Sequence, residues 1–163
     1  MLHIRKAMPQ DMDAILHIYR AAQDYMIANG NPHQWGRSYP NKARVEADLA
    51  LGCCHVVCKG TEIRGVFALC VGAEPSYQRI AGAWRNAAAY LTLHRVASDG
   101  RARGVFACAV DYCKGLASNI RIDTHADNHI MQKLLTEQGF VYCGIIQLAD
   151  GAPRRAYHWV SGT

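Results

Sequence analysis

The chain has 163 residues, 50% of them hydrophobic, and a formal net charge of +5, which predicts one domain over residues 1–163 with a sizeable core. It has no apolar run as long as a membrane span, no signal peptide, and no cluster of Lys and Arg with interleaved aromatic residues. We therefore expect a cytoplasmic protein that binds neither membranes nor nucleic acid.

The first half of the chain predicts a strand, two helices and a hairpin. Residues 2–6 alternate as a half-buried strand does, and residues 9–28 repeat apolar side chains on one helical face. A short helix is predicted over residues 43–51. Two apolar runs, residues 53–59 and 62–71, follow with a tight turn between them, which is typical of a hairpin.

The second half predicts strands that alternate with helices, followed by a last strand. Asn128 is a candidate N-cap for the second of these helices, and Gly139 is its expected stop. The turn-rich segments 29–42 and 72–89 have no apolar period and are predicted to be loops. The strands are predicted over residues 90–96, 119–124, 140–148 and 156–160, and the helices over residues 105–116 and from Asn128 to Gly139.

The loop after residues 90–96 has the features of an anion site. Arg101, Arg103 and Gly104 stand at a predicted helix start, where backbone N–H groups lack partners and the helix carries a partial positive charge. A glycine there lets a phosphate approach the backbone, and the arginines add charge and directional donors. A solvated basic turn is the alternative interpretation.

The run Arg101–Phe106 (RARGVF) resembles the acyl-CoA pyrophosphate loop of the GCN5-related N-acetyltransferases, whose pattern is Gln or Arg, any, any, Gly, any, Gly or Ala. A later segment resembles the same family's next strand, the helix beside the CoA arm and the Gly-Phe start of the strand after it. The two segments follow each other in the family's order and at its separation. The later segment is represented by Ile122, Asp123, Thr124, Asn128, Met131, Leu134, Leu135, Gly139, Phe140, Tyr142 and Gly144.

The resemblance implies an α/β layered fold with a mixed, mostly antiparallel sheet of about six or seven strands flanked by about four helices. It implies that two central strands, ending near Val96 and Thr124, splay apart so that the pantetheine arm of acetyl-CoA, a co-substrate, lies between them. The backbone of the first strand would pair with the pantetheine amides like an extra strand. The implied cofactor-binding residues are Val96, Ala97, Ser98, Arg101, Ala102, Arg103, Gly104, Val105, Phe106, Asn128 and Met131, although Met131 has core packing as an alternative.

Two residues depart from the family's pattern. Phe106 stands where a second small residue is usual, so either the helix start is shifted or the turn holds the pyrophosphate less closely. Leu135 stands where many members have a tyrosine that can protonate the departing CoA thiolate. Tyr142 and Tyr157 could replace that acid, but nothing in the spacing selects either.

Acetyl transfer to an amine needs a neutral amine, a polarised thioester carbonyl and a proton for the leaving thiolate. The candidate catalytic residues are His94, Asp123 and His125. Alternation places His94 and Arg95 on opposite faces of the sheet, and His94 could accept the amine's proton or be a structural histidine. Asp123 and His125 could form an acid/base pair or an ion pair that fixes the strand end. Catalysis by positioning alone, with water as the base, stays open.

The two loops supply candidates for the acceptor-substrate site. In the resembled family the segment after the first helix lines the acceptor cleft, and loop aromatics would suit a partly apolar or cationic acceptor. A loop tryptophan that simply caps the core is the alternative. The candidates are Gln34, Trp35, Tyr39, Tyr77 and Trp84.

The sequence thus predicts an acetyl-CoA-dependent N-acetyltransferase that acts on a primary amine of a small molecule or a peptide in a ternary complex. The alternative is a non-catalytic acyl-CoA-binding module of the same fold. No metal is expected, since none of the seven cysteines belongs to a pattern of zinc ligands, and free buried thiols are expected instead. A homodimer through the exposed edge of the last strands is plausible.

Overall fold

A computed structural model describes residues 1–162 as an α/β fold with one open sheet. The described residues contain eight strands and four α-helices, which confirms the predicted fold class with slightly more strands than expected. The strands are β1 (Leu2–Lys6), β2 (Cys54–Lys59), β3 (Glu62–Val71), β4 (Ala81–Gly82), β5 (Leu91–Ser98), β6 (Asn119–Thr124), β7 (Val141–Gln147) and β8 (Pro153–Val160), and the helices are α1 (Met12–Ala28), α2 (Lys42–Ala50), α3 (Val105–Lys114) and α4 (His129–Glu137).

The sheet runs in the order β1-β2-β3-β5-β6-β8-β7-β4. Every neighbouring pair is antiparallel except β5 and β6, which are parallel. These two strands pair only where Leu91 faces Ile120 and Thr92 faces Arg121, although β5 continues to Ser98 and β6 to Thr124. The central strands therefore separate towards their C-terminal ends, as expected.

The additional strand is β4, a two-residue pairing with β7 in a segment predicted to be a loop. Gly82 and Gly144 face each other there, and a Cβ atom on Gly82 would lie 2.1 Å from the carbonyl oxygen of Cys143. Only glycine permits this approach of two backbones. The pairing depends on two glycines far apart in sequence, so no local apolar pattern predicts it.

The helices cover both faces of the sheet, and the alternation of the strands supplies a core to each layer. Val56 packs with α1 and α2, while its neighbour Val57 packs with α3. Both valines are fully buried, as expected for a central strand covered on both faces. The sheet is thus the middle of three layers.

Strand β5 carries a bulge at Arg95, which has a left-handed φ of 51°. Val66 of β3 faces Ala97, whereas Ala68 faces His94, so β5 has one residue more than β3 across this interval. Leu93 and Val96 consequently pack into the same core, although they are three positions apart. The prediction that His94 and Arg95 lie on opposite faces was wrong, because the bulge interrupts the alternation between them.

Long-range contacts hold this bulge in place. The hydroxyl of Tyr19 in α1 donates to the carbonyl oxygen of Arg95 at 2.9 Å. Both Nε and Nη2 of Arg95 donate to the carboxylate of Asp48 in α2 at 2.8 Å, and Arg44 donates to the same carboxylate. Asp48 is almost fully buried, so helices α1 and α2 fix the backbone of β5 where it leaves β6.

Candidate functional site

A cleft of about 400 Å³ lies where β5 and β6 separate. The end of α1, the end of β5 and the first turns of α3 and α4 form its walls. We call it the cleft. It brings together most of the residues predicted to bind the cofactor, namely Val96, Ala97, Ser98, Ala102, Gly104, Val105, Phe106, Asn128 and Met131.

Helix α3 begins at Val105, as predicted, after Gly104 with a left-handed φ of 77°. The first α-helical bond of this helix runs from the N–H of Cys108 to the carbonyl oxygen of Gly104 at 2.9 Å. The N–H groups of residues 105–107 bond no residue within 1–162 and remain available to a ligand. This turn can therefore receive an anion.

Phe106 does not stand in that opening, because its side chain is buried in the core beneath α3. The helix start is not shifted. Gly65 of β3 makes room for the neighbouring residue Val105, since a Cβ atom on Gly65 would lie 2.4 Å from Cγ1 of Val105. Arg101 and Arg103 lie outside the wall of the cleft, exposed and without an ion pair in the described chain.

Two side chains fix the shape of the turn before α3. Ser98 Oγ accepts from the N–H of Gly100 at 3.1 Å, and Asp99 Oδ1 accepts from the N–H of Arg101 at 2.9 Å. The other oxygen of Asp99 accepts from Arg64 at 3.2 Å. The loop that follows β5 is therefore held by its own side chains and by Arg64.

Helix α4 forms the opposite wall. Asn128 caps it as predicted, with Oδ1 accepting from the N–H of Met131 at 3.0 Å, and Gly139 follows its end with a φ of 86°. The side-chain amide of Asn128 donates to Gln34 Oε1 at 2.9 Å. Gln34 thus connects the loop after α1 to the cleft wall.

Leu135 is fully buried in the core between α4 and the sheet. Its position on α4 therefore offers no proton donor, in agreement with the sequence. Tyr142 and Tyr157 pack edge to face with ring centroids 5.7 Å apart, and neither is among the residues that line the cleft. The structure therefore places neither of the two candidate tyrosines at the cleft.

A second group of polar residues lies beside the bulge of β5. Glu74, Tyr77, His94 and Asp123 form it, and we call it the polar cluster. His94 Nε2 lies 3.3 Å from Glu74 Oε2, and the Tyr77 hydroxyl donates to Asp123 Oδ2 at 2.6 Å. The ring centroids of Tyr77 and His94 are 6.3 Å apart, so the pair of Glu74 and His94 lies against the pair of Tyr77 and Asp123.

The pKa values of the ionisable groups in the polar cluster are shifted in different directions. The hydrogen bond from His94 lowers the pKa of Glu74, so this carboxyl group stays ionised. Burial raises the pKa of Asp123, while the hydrogen bond from Tyr77 opposes the rise. Burial raises the pKa of Tyr77 well above its usual range, so Tyr77 stays a hydrogen-bond donor.

Sequence reasoning missed Glu74. It lies in a turn-rich segment where an acidic residue is ordinary, and only the fold brings it to His94, twenty positions along the chain. With Nε2–H directed at Glu74, the neutral imidazole carries its lone pair on Nδ1. The arrangement can therefore accept a proton on Nδ1 and stabilise the resulting cation through Glu74.

Asp123 and His125 do not form the ion pair considered from the sequence. Asp123 bonds Tyr77, whereas His125 Nδ1 accepts from the N–H of Asp127 at 2.9 Å. Burial lowers the pKa of His125, and the nearby charge of Arg154 lowers it further. Of the three candidate catalytic residues, the structure places His94 and Asp123 in one cluster and His125 outside it.

The loop aromatics are tied to the framework. Trp35 packs against Tyr19 with ring centroids 5.8 Å apart, and the Tyr39 hydroxyl accepts from Arg95 at 3.3 Å. Tyr77 is buried against Trp84, whose indole N–H donates to the Tyr77 carbonyl oxygen at 2.9 Å. These residues stay candidates for acceptor binding, but each one also has a structural contact.

Within residues 1–162 no group of three His, Cys, Asp or Glu side chains is arranged to hold a metal ion. All seven cysteines are free, three of them buried and four partly exposed, and burial raises the pKa of Cys54 and Cys113 to about 12. No described helix is both long and apolar enough to cross a membrane.

Comparison with known proteins identifies the fold. No protein-family model matches the sequence, and no curated protein matches it at a significant level. Among solved structures, an acetyltransferase of the GNAT family from Streptococcus agalactiae is 29% identical with a TM-score of 0.90, covering 99% of this chain and 96% of that one.

Two further structures are similar at lower identity. A GNAT-family acetyltransferase from Listeria monocytogenes is 16% identical with a TM-score of 0.70, covering 98% of this chain and 94% of that one. The ribosomal-protein-S18-alanine N-acetyltransferase from Escherichia coli is 13% identical with a TM-score of 0.63, covering 100% and 96%. At these identities the likeness establishes the fold, and together the neighbours support an acyl-transfer function in general terms.

Proposed function

Because the chain has the GCN5-related N-acetyltransferase fold, we propose that it moves an acetyl group from acetyl-CoA to a primary amine of a small molecule or a peptide. The transfer is direct, within a ternary complex. The observation that carries the proposal is the separation of β5 and β6 after two paired residues. It leaves the backbone of Val96, Ala97 and Ser98 as one wall of a cleft and free to pair with an extended ligand.

The cleft has the chemistry that acetyl-CoA requires at each end. The free N–H groups at the start of α3 and the unpaired Arg101 and Arg103 suit a pyrophosphate. The pantetheine arm follows β5 between α1 and α4, beside Asn128 and Met131. The thioester then reaches the bulge at Arg95, next to the polar cluster.

The polar cluster contains the base that removes a proton from the acceptor amine. His94 Nδ1 accepts a proton from the acceptor's ammonium group, and Glu74 stabilises the imidazolium that forms. The neutral amine attacks the thioester carbonyl, so that a C–N bond forms and the C–S bond breaks. The amine's second proton passes to water, and water protonates the thiolate of CoA, because the side chain of Leu135 has no proton to donate.

The cofactor site is tested by calorimetric titration of the protein with acetyl-CoA and CoA, beside the double variant Arg101→Ala/Arg103→Ala. Saturable binding that the double variant weakens by roughly tenfold or more is expected, since each arginine contributes a charge-assisted hydrogen bond. Absence of binding to the wild-type chain would refute the proposal. Both arginines are exposed, so the fold of the variant is not at risk.

The second candidate function is an acyl-CoA-binding module without turnover, which the buried Leu135 favours. Thiol release measured with a broad panel of amines separates the two. Release above background hydrolysis with any amine establishes the enzyme, whereas tight CoA binding without release across the panel establishes the module.

A further inference from the structure

Arg154 in β8 is a buried cation that forms no direct ion pair with a carboxylate of the described residues. It is 8% exposed, and its guanidinium donates to two backbone carbonyl oxygens, that of Pro153 at 2.9 Å and that of Gln34 at 3.3 Å. It forms no ion pair with any residue from 1 to 162. The carboxylate of Asp123 acts on this charge only from beyond ion-pair distance. A buried charge without a direct partner is costly, so this arginine indicates an anionic ligand.

Arg154 lies next to the polar cluster. Its positive charge opposes the burial-driven rise in the pKa of Asp123 and adds to the burial-driven fall in the pKa of His125. In the sheet, Asp123 faces Ala156, two positions from Arg154, and alternation therefore directs Asp123 and Arg154 to the same face. The negative charges of Glu74 and Asp123 and the positive charge of Arg154 thus share one face of the sheet.

Gln34, whose carbonyl group contacts Arg154, adds a second donor of fixed orientation. The backbone N–H of Met131 can only donate, so it fixes Asn128 with Oδ1 towards itself and Nδ2 towards Gln34. Gln34 Oε1 accepts from Asn128, from Asn31 at 2.8 Å and from Thr124 at 3.4 Å. The amide nitrogen of Gln34 is therefore the free end, bonded to no described residue.

We propose that Arg154 and Gln34 bind the carboxylate of the acceptor, and that the acceptor is an amino acid whose amino group is acetylated. This inference rests on the proposed function and names its substrate class. An amino acid carries a cation and an anion close together, which complements a face that carries the carboxylates of Glu74 and Asp123 and the guanidinium of Arg154. Arg154 and Gln34 hold the carboxylate while His94 receives the proton of the amino group.

The test compares each of the twenty L-amino acids with its primary amide, which keeps the shape and the amino group but removes the negative charge. Binding is measured by calorimetry on the protein saturated with CoA, so turnover is not required. At least one amino acid should bind roughly tenfold more tightly than its amide, as expected for a hydrogen bond to a charged group. The same preference should appear in kcat/KM with acetyl-CoA.

Variants assign the preference to Arg154. Arg154→Gln should remove the difference between the amino acid and its amide, and Arg154→Lys should keep part of it. The matched control is Arg155→Gln, since Arg155 is the next residue, lies on the other face of β8 and stacks over Tyr142 at 5.7 Å. It should leave the preference intact.

Three outcomes would overturn the inference: amides that bind the wild-type protein as tightly as the amino acids, equal losses in the two arginine variants, or binding of no amino acid. Failure of the proposed function is a separate result, namely that CoA and acetyl-CoA do not bind. In that case the amino acids and amides are titrated without CoA, and the charge preference of Arg154 is still measured.

Discussion

The two sides of the site are built differently. The cleft is formed largely by backbone and first helical turns of two local segments, residues 96–106 and 128–131, with the end of α1 as a further wall. The acceptor side uses side chains from separate parts of the chain, the loop after α1, the loop after β3, and the strands β5, β6 and β8. The cofactor side thus depends mainly on local segments, whereas the residues proposed to select the acceptor come together only in the folded chain.

The bulge at Arg95 lies between the cleft and the acceptor side. The largest effect is expected from removing Asp48, whose carboxylate binds the guanidinium of Arg95. Asp48→Ala should destabilise the protein by about 3–5 kcal/mol, because it leaves the buried guanidinium of Arg95 without its carboxylate. The free energy of unfolding is measured by urea denaturation. Acetyl-CoA affinity should fall as well, since the same backbone forms the wall of the cleft.

The control for Asp48 lies on the same helix. Glu46 pairs with Lys42 at 3.9 Å with both side chains mostly exposed, and Glu46→Ala should cost at most about 1 kcal/mol. If the two variants were equally stable, the ion pair between Asp48 and Arg95 would not be what holds the bulge.

The cleft and the acceptor side also differ in how much of each could be predicted from the sequence. The start of α3, the cap at Asn128 and the stop at Gly139 were confirmed, because local hydrogen bonds and glycine conformations determine them. The bulge at Arg95 was not predicted, since it depends on Tyr19 and Asp48, which lie 76 and 47 positions away.

Glu74 and Arg154 were also missed, for the same physical reason. An acid in a turn and an arginine in a strand are ordinary in a sequence. The contact of Glu74 with His94 and the burial of Arg154 without an ion pair are visible only in three dimensions. The pairing of Asp123 with His125 was considered because the two are close in sequence, yet each found a partner that adjacency does not indicate. Local patterns therefore predicted the cleft better than the acceptor side.

The second prediction separates binding from chemistry. His94→Gln should lower kcat/KM for the amine by about a hundredfold, the lower end of the range for loss of a general base, with acetyl-CoA affinity unchanged. Glu74→Gln should lower it less, since the base remains and only the support of its cation is lost. Stopped-flow thiol release and calorimetry provide the two readouts.

The variant His125→Gln tests whether His94 or His125 is the general base. His125 bonds the backbone of Asp127 and not the polar cluster, so its loss in turnover should be smaller than that of His94→Gln. Equal losses, or a loss of acetyl-CoA binding in His94→Gln, would mean that the polar cluster is not the source of the base.

The smallest expected effect is a pH dependence of the free energy of unfolding. It comes from His158, which binds the loop before β5 at Arg85. His158 of β8 is fully buried, donates from Nε2 to Asn119 Oδ1 and accepts the N–H of Arg85 on Nδ1. A second proton would break the bond to Arg85, and burial lowers the pKa of His158 to about 4. In the unfolded chain the value is about 6.5.

A histidine whose folded pKa is lowered stabilises the fold fully above the unfolded value, and this stability is lost as the pH falls towards the folded value. Between pH 7 and pH 5.5 the loss should be about 1 kcal/mol, measured as a fall in the free energy of unfolding. Burial also lowers the pKa of His55 and His125, which act in the same direction. The part due to His158 is therefore the difference in pH slope between the wild type and His158→Gln. Identical slopes would show that protonation of His158 does not compete with the hydrogen bond that ties the loop at Arg85 to β8.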